Sequence, residues 1–207
     1  LYKLTIPNFH FYCYLWLSRM EKDFGQLPCN CRKVVLFGPE STGKTTLAKQ
    51  LASHFNSDWV PEYARGYLQK KLDKTNKICS KEDLPIIAAG QMALENQKAS
   101  NTDTILFCDT DLLVTKIYSE VYFNGYCDPD LHHFAVNNHY DLYLLLDIDI
   151  PWVADDLRDK PHERDQMLIQ FKKALQSLNR PYVLIQGQGE GRFQSAIQAI
   201  QSQFAHV

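Results

Sequence analysis

The stretch Phe37-Gly-Pro-Glu-Ser-Thr-Gly-Lys-Thr-Thr46, FGPESTGKTT, decides the fold. It matches the P-loop pattern G-x-x-x-x-G-K-[ST] at every fixed position. The apolar, β-branched run at 33–37 predicts a strand buried on both faces, and Leu47, Leu51 and Phe55 follow the loop at helical spacing. This order of strand, loop and helix suits phosphate binding, because the inward N–H groups of the loop and the helix N-terminus both attract anions.

The loop predicts a site for a nucleoside triphosphate, with ATP and Mg²⁺ as the expected cofactors. Lys44 is expected to reach the β- and γ-phosphates, and Thr45 is expected to ligate Mg²⁺. The competing interpretation is a glycine-bearing turn with a solvated lysine. The predicted nucleotide-binding residues are Gly38, Glu40, Ser41, Thr42, Gly43, Lys44, Thr45 and Thr46.

Four further apolar stretches alternate with helical patterns along the rest of the chain. They lie at 58–60, 104–109, 142–146 and 182–185. Short apolar strands separated by amphipathic helices predict an α/β fold, a P-loop kinase-like three-layer sandwich with a five-stranded parallel sheet and a small lid. Ligands of such sheets bind at the carboxyl ends of the strands. Between the second and third strands, the pattern predicts a polar loop at 70–81 and then a helix that starts between Ser80 and Pro85, with a capping box at 80–83.

The composition favours a small-molecule partner. The chain has 207 residues, of which 45% are hydrophobic and 22% are charged, and a formal net charge of -2. This balance is typical of a globular domain and offers no basic surface to nucleic acid. We therefore expect neither nucleic acid nor a membrane as a partner, and the oligomeric state stays open. The six cysteines lack the spacing of a zinc site, which indicates reduced thiols in a cytoplasmic protein.

The first 32 residues predict an N-terminal extension without stable structure, ahead of a kinase domain at 33–207. The aromatic and apolar run 9–17 is shorter than the ~20 residues that a membrane-spanning helix needs. Met20 opens a polar segment that leads to the first strand. We therefore expect Met20 to be the native start and residues 1–19 to be an artefact of gene assignment.

Two acids follow the third predicted strand. Asp109 closes an apolar strand in a P-loop protein, where a carboxylate is placed to hold Mg²⁺ opposite Thr45. Asp111 has two interpretations of equal weight. It would bind a substrate hydroxyl, or it would be an acid at the N-terminus of the next helix, favoured by the helix dipole.

Charged residues also follow the second and fourth strands. Glu62 is expected to orient or deprotonate an attacking hydroxyl and Arg65 to hold the acceptor, although an exposed ion pair would explain both. The charged stretch at 151–165 predicts a lid whose Arg158 and Arg164 stabilise charge on the transferred phosphoryl group; a solvated helix and turn is the alternative. Tyr126, in a glycine-containing loop, is a further candidate for substrate contact.

These motifs together resemble the ribosylnicotinamide kinase domain of NadR-type proteins, a P-loop family related to small-molecule and nucleotide kinases. The resemblance covers nearly everything from Lys33 onward and rests on Gly38-x-Glu40-Ser41-x-Gly43-Lys44, Glu62-Tyr63-x-Arg65, Gln91-Met92-Ala93-Leu94 with Gln97, Asp109-Thr110-Asp111 and Trp152-Val153-x-Asp155-Asp156-Leu157-Arg158. It implies transfer of the ATP γ-phosphate to the ribose 5′-hydroxyl of nicotinamide riboside, which gives nicotinamide mononucleotide. The expected catalytic residues are Lys44, Glu62, Asp111, Arg158 and Arg164, and the expected substrate-binding residues are Glu62, Tyr63, Arg65, Gln91, Asp111 and Tyr126.

Two departures from this family limit what the resemblance implies. Bifunctional members carry an adenylyltransferase domain before the kinase; here about 30 residues precede the first strand, so we expect no adenylyltransferase activity. In the family, a Trp directly before Glu-Tyr-x-Arg stacks on the nicotinamide, whereas this chain has Pro61 there. A ring from Trp59 or Tyr63 would have to replace it.

Two other functions remain open at this point. One is a regulatory ATPase or GTPase, although the N-K-x-D motif of a guanine-specific switch has no match in a suitable loop. The other is a kinase for a different nucleoside or small alcohol, which the sequence excludes least well.

Overall fold

A parallel β-sheet forms the centre of the computed structural model, which describes residues 24–158 and 160–204. The five strands run in the order β2-β3-β1-β4-β5, and every neighbouring pair is parallel. They are β1 (Arg32–Phe37), β2 (Asp58–Val60), β3 (Ile105–Asp109), β4 (Leu142–Leu146) and β5 (Tyr182–Ile185). The predicted α/β class and five-stranded sheet are confirmed.

Helices connect the strands and cover both faces of the sheet. They are α1 (Lys44–His54), α2 (Tyr63–Thr75), α3 (Leu84–Ala99), α4 (Leu112–Tyr122), α5 (Pro129–Asn137), α6 (Arg164–Ser177) and α7 (Gly189–Gln203). Alternate residues of β1 enter two different apolar cores: Val35 and Phe37 pack with Phe171 of α6, and Leu36 packs with Leu51 of α1. Because β1 is central and buried on both faces, the loop that follows it starts from a rigid base.

The segment between α2 and α3 is more helical than the sequence predicted. The expected polar loop at 70–81 was wrong for residues 70–75, since α2 continues through Thr75. Residues 70–75 contain a single apolar residue, Leu72, and no residue of α2 is buried, so little in the sequence predicted that the helix extends this far. The predicted capping box is present: Asp83 accepts from the Ser80 backbone N–H, and Ser80 caps a short 3₁₀ turn, Lys81–Asp83, before α3.

The described part of the N-terminal extension, residues 24–31, differs from the expectation of an unstructured segment. Phe24 is 1% exposed and packs with Met92 of α3 and Leu131 of α5. Asn138 donates to the Phe24 carbonyl at 3.0 Å. One buried aromatic ring and these polar bonds anchor the segment, whereas the predictions about Met20 and residues 1–19 fall outside the described residues.

Within the described ranges, the helices include none with the length and apolar character needed to cross a membrane.

Candidate active site

The P-loop adopts a backbone that only glycine accepts at two points. Gly38 has φ 138°, and a Cβ there would lie 2.9 Å from the carbonyl oxygen of Leu146 in β4. Gly43, at φ 80°, occupies the left-handed region just before α1. The loop therefore turns tightly over the ends of β1 and β4, and it delivers Lys44 and Thr45 at the first turn of α1.

Lys44 lies buried at the centre of the site. Its Nζ donates to the carbonyls of Gly38 at 2.9 Å and Pro39 at 2.8 Å. Burial lowers the pKa of Lys44, while the charges of three nearby acids oppose that fall: Glu62, Asp109 and Glu40. A cation held among these acids is placed to balance the negative charge of a bound phosphate.

Thr45 and Asp109 fit a hard metal ion. The Thr45 hydroxyl donates to Asp109 Oδ2 at 2.5 Å, and Asp109 Oδ1 is buried without accepting a hydrogen bond from any described residue. A hydroxyl oxygen beside a carboxylate with a spare acceptor suits Mg²⁺, which takes few protein ligands and completes its shell with water and phosphate. Among the described residues, no group of three or more Asp, Glu, His or Cys side chains is arranged to hold a metal ion by itself.

A cavity of about 460 Å³ extends from the P-loop toward α3 and α4. Residues 40–46 form one end of it. The other end is largely apolar and is lined by Leu84, Ile87, Tyr118, Tyr122 and Phe123. Glu62, Arg65 and Arg158 line the wall as well. The cavity therefore has a P-loop end and an apolar end, with charged side chains on its wall.

Glu62 stands at the N-cap of α2, directly after β2 and Pro61. Burial raises the pKa of its carboxyl group and Asp109 adds to that rise, while Lys44, Arg65 and Arg158 oppose it. A carboxylate with a raised pKa near cationic groups can accept a proton from a hydroxyl.

Gln91 of α3 holds the turn that carries Glu62. Its Oε1 accepts from the Tyr63 N–H at 2.8 Å, and its Nε2 donates to the Pro61 carbonyl at 3.4 Å. Gln91 is 2% exposed and also lines the cavity. Its side chain therefore connects α3 to the backbone on both sides of Glu62.

Tyr63 packs against α3 and does not line the cavity. A Cβ placed on Gly90 would lie 2.3 Å from carbons of the Tyr63 ring, so the ring occupies the space that only a glycine leaves open. The predicted substrate contact of Tyr63 is thus replaced by a packing contact. Trp59, the other ring considered, is likewise absent from the cavity wall within the described residues.

Asp155 connects the segment after β4 to α2. Its Oδ2 lies 2.6 Å from Arg65 Nη2 and 3.0 Å from Arg158 Nε. Arg158 also donates to the Val153 carbonyl at 2.7 Å. These partly exposed ion pairs add little stability, but they hold Arg158 at the cavity wall.

Arg164, the first residue of α6, braces the P-loop from outside the cavity. Its guanidinium donates to the carbonyls of Ile150 at 3.0 Å and Ser41 at 3.1 Å. The structure therefore does not bring Arg164 to the same position as Arg158.

Two further predicted site residues, Asp111 and Tyr126, do not line the cavity either. Asp111 is 1% exposed; it accepts from the Val114 N–H at 3.1 Å and from the Tyr143 hydroxyl at 2.9 Å. It therefore caps α4, as its second interpretation held, and burial raises its pKa to about 7. Tyr126 is 37% exposed and absent from the cavity lining, and Lys81 Nζ lies 4.4 Å from its ring centre, so the structure does not bring this ring to the cavity.

Arg192 of α7 is a structural residue that the sequence analysis missed. It is 5% exposed and donates to the carbonyls of Thr42 at 2.6 Å, Gly187 at 2.7 Å and Asp147 at 3.1 Å, and to the Asp149 carboxylate. One guanidinium thus ties the P-loop to the loops after β4 and β5. An arginine in the first turn of an otherwise amphipathic helix, after the turn at Gly187, was the available signal.

Comparison with known proteins adds a family match and a set of similar folds. A family model described as AAA domain matches residues 33–192. The trifunctional NAD biosynthesis/regulator protein NadR of Salmonella typhimurium is 28% identical over 176 residues, which are 84% of this chain and 43% of that protein. This chain therefore spans less than half the length of the curated relative.

Two solved structures of NadR protein share the fold. One is in complex with NR and has a TM-score of 0.64; the other is in complex with NAD and AMP-PNP and has a TM-score of 0.65. Both are 20% identical to this chain. The similarity covers 100% and 96% of this chain, and 63% and 58% of those chains.

Proposed function

We propose that this chain, which belongs to the AAA domain family, is an ATP-dependent kinase that phosphorylates the ribose 5′-hydroxyl of nicotinamide riboside. The observation that supports the proposal is the cavity, whose lining combines the P-loop residues 40–46, Glu62 and a group of apolar side chains. A switch that only hydrolyses a nucleotide has no need of an apolar acceptor end beside its phosphate site.

The P-loop forms the donor half of this reaction. Backbone N–H groups of residues 40–46 bind the triphosphate of ATP, and Lys44 moves from the loop carbonyls to the β- and γ-phosphate oxygens. Mg²⁺, when bound at Thr45 and Asp109, supplies charge neutralisation on the phosphates. Arg158 stabilises the negative charge of the transferred group from the cavity wall, and Arg164 keeps the loop in place.

The acceptor half lies on the α3 and α4 side of the cavity. Glu62 orients the 5′-hydroxyl and removes its proton, while Arg65 and Gln91 hold the ribose next to it. The base lies at the apolar end against Leu84, Ile87 and Phe123. Asp111 and Tyr126 take no part in this arrangement, because neither lines the cavity.

The segment 151–165 is proposed to be the lid of the kinase domain, which spans 33–207. Its contacts with α2 include two polar, partly exposed ones, the ion pair of Asp155 with Arg65 and the bond from Gln69 to Asp156. Such contacts break and reform at low cost, as a segment that admits substrate requires. We also propose that the protein functions in the cytoplasm, where ATP is abundant.

The resemblance to NadR-type kinase domains supports nicotinamide riboside as the acceptor. The curated relative is named for NAD biosynthesis, and a structural neighbour is described in complex with NR. The second candidate is a kinase of a different nucleoside. It is favoured by Pro61, which stands where the family has its stacking Trp, and by the apolar character of the acceptor end.

The proposal is tested by incubating the purified protein with ATP and Mg²⁺ and measuring ADP release with nicotinamide riboside, with other nucleosides and without any acceptor. We expect ADP release that depends on nicotinamide riboside, together with formation of nicotinamide mononucleotide. Lys44→Ala should lower kcat by about 100-fold or more, because it removes a cation that acts on transition-state charge. Lys172→Ala, an exposed lysine on α6, is the matched control and should keep full activity. ADP release that is the same without any acceptor would refute the kinase assignment.

A further inference from the structure

Two thiols lie in contact just before β1. The sulfur atoms of Cys29 and Cys31 are 3.2 Å apart, and the chain bends at Asn30 and Cys31 to bring them together. A disulfide needs a sulfur separation of about 2.05 Å, so the two atoms have to approach by only about 1.2 Å.

The two sulfurs differ in their access to solvent. Cys31 is 7% exposed and belongs to the apolar core that contains Val35 and Phe37, whereas Cys29 is half-buried at the edge of that core. A dissolved oxidant therefore meets Cys29 first. Cys31, held behind it, is placed to attack the sulfur of an oxidised Cys29.

A fixed cation lies beside the pair. Lys33 is paired with Glu95 at 2.9 Å inside the protein, and its ammonium acts on both thiols. Burial raises the pKa of Cys31 to about 12, and the Lys33 ammonium opposes that rise. The Lys33 ammonium therefore offsets part of the cost of forming a thiolate at Cys31, a cost that burial raises.

We propose that Cys29 and Cys31 are a redox-active dithiol that hydroperoxides convert into an intrachain disulfide. In the first step the Cys29 thiolate attacks the peroxide, an S–O bond forms, and the O–O bond breaks to release water or an alcohol after protonation. In the second step Cys31 attacks the Cys29 sulfur, the S–S bond forms, and the S–O bond breaks. The departing hydroxide takes the Cys31 proton and leaves as water. Two thiols thus lose two electrons, and one peroxide accepts them.

The full chain can be tested directly by mass spectrometry. The protein is treated with hydrogen peroxide, the remaining thiols are blocked with N-ethylmaleimide, and the sample is digested with trypsin. Cleavage after Lys22 and Arg32 places both thiols in the peptide 23–32. We expect this peptide to lose two hydrogens and to carry no maleimide, and we expect dithiothreitol to reverse both changes.

Cys79 is the internal control, because it is an exposed thiol on the same chain. At a dose that lowers maleimide labelling of Cys79 by less than about twofold, labelling of peptide 23–32 should fall about tenfold, since held neighbours react at high effective concentration. In Cys31→Ser, the Cys29 sulfenic acid has no resolving thiol and should be trapped by dimedone. The rate of disulfide formation in a synthetic peptide of residues 23–32 shows how fast the two cysteines react when they are close in sequence but not held by the fold.

Three results would overturn the proposal. One is a peptide 23–32 that keeps both maleimide labels while Cys79 is oxidised. The second is Cys29 oxidised to sulfinic acid while Cys31 keeps its label. The third is disulfide formation in the synthetic peptide as fast as in the folded protein, since the fold would then contribute nothing.

Discussion

Replacing Gly90 by alanine sets two opposing effects against each other in α3. In a helix interior, alanine is favoured over glycine by about 1 kcal/mol. At Gly90, however, the new Cβ would lie 2.3 Å from carbons of the Tyr63 ring, where contact requires about 3.5 Å or more. The ring would have to withdraw by about 1.2 Å, and overpacking of this kind costs about 1 to 3 kcal/mol.

We therefore expect Gly90→Ala to lower the free energy of unfolding by up to about 2 kcal/mol, because the steric cost exceeds the gain in helix propensity. Tyr63 follows Glu62 directly, so a displaced ring should also raise the KM of the acceptor more than that of ATP. Urea denaturation followed by circular dichroism measures the first effect, and steady-state kinetics measures the second.

Gly66→Ala is the matched control, since Gly66 lies in α2 and a Cβ there would meet nothing within 4 Å. This variant should gain about 0.5 to 1 kcal/mol. The double variant Tyr63→Ala with Gly90→Ala should show no steric penalty for the alanine at 90. A Gly90→Ala protein that is as stable as Gly66→Ala, with an unchanged acceptor KM, would refute the packing argument.

Three further predictions concern buried charges. Burial raises the pKa of Glu62, so its basic form is lost as pH falls through that raised pKa. The acid limb of the profile of kcat against pH should therefore lie above the usual glutamate pKa of about 4.3. This limb should be absent from Glu62→Gln. Asp111→Ala should lower the free energy of unfolding by about 2 to 4 kcal/mol, from the lost cap and the stranded Tyr143 hydroxyl, while the KM values change less than about twofold. A tenfold rise in the acceptor KM without loss of stability would instead indicate that Asp111 contacts the substrate. Lys33→Met should lower the free energy of unfolding, measured by urea denaturation, by about 3 to 5 kcal/mol, because Glu95 keeps an uncompensated buried charge. Adding Glu95→Gln should recover at least half of this loss. Losses that simply add in the double variant would contradict the argument.

The sheet was predictable because its signals are local. Each strand is a short apolar run, and the P-loop motif identifies the strand that precedes the candidate phosphate-binding loop. The bounds of 58–60, 142–146 and 182–185 agree with β2, β4 and β5 in full. The structures of residues 70–75 and 24–31 were harder to predict from the sequence. No residue of α2 is buried, and a single buried ring, that of Phe24, does not produce a periodic pattern.

The site was predictable in its backbone and less so in its side-chain directions. The positions of Lys44 and Thr45 follow from the P-loop motif, and that of Asp109 follows from its place at the end of an apolar strand. Asp111 follows Asp109 by two residues, yet a left-handed turn at Thr110, φ 75°, carries it into the cap of α4. No pattern in the sequence reports such a turn at a threonine, and Arg192 was missed because its partners come from three distant loops.

The arrangement around Arg192 has a consequence for local opening. Its guanidinium joins Thr42, Asp147 and Gly187, and the Gly187 N–H donates to Asp149 at 2.6 Å. If Arg192 leaves its position, the three loops lose their hydrogen bonds to it at the same time. The amides of these three loops should therefore exchange with deuterium at a common rate, as one cooperative unit that is distinct from the segment carrying Arg158.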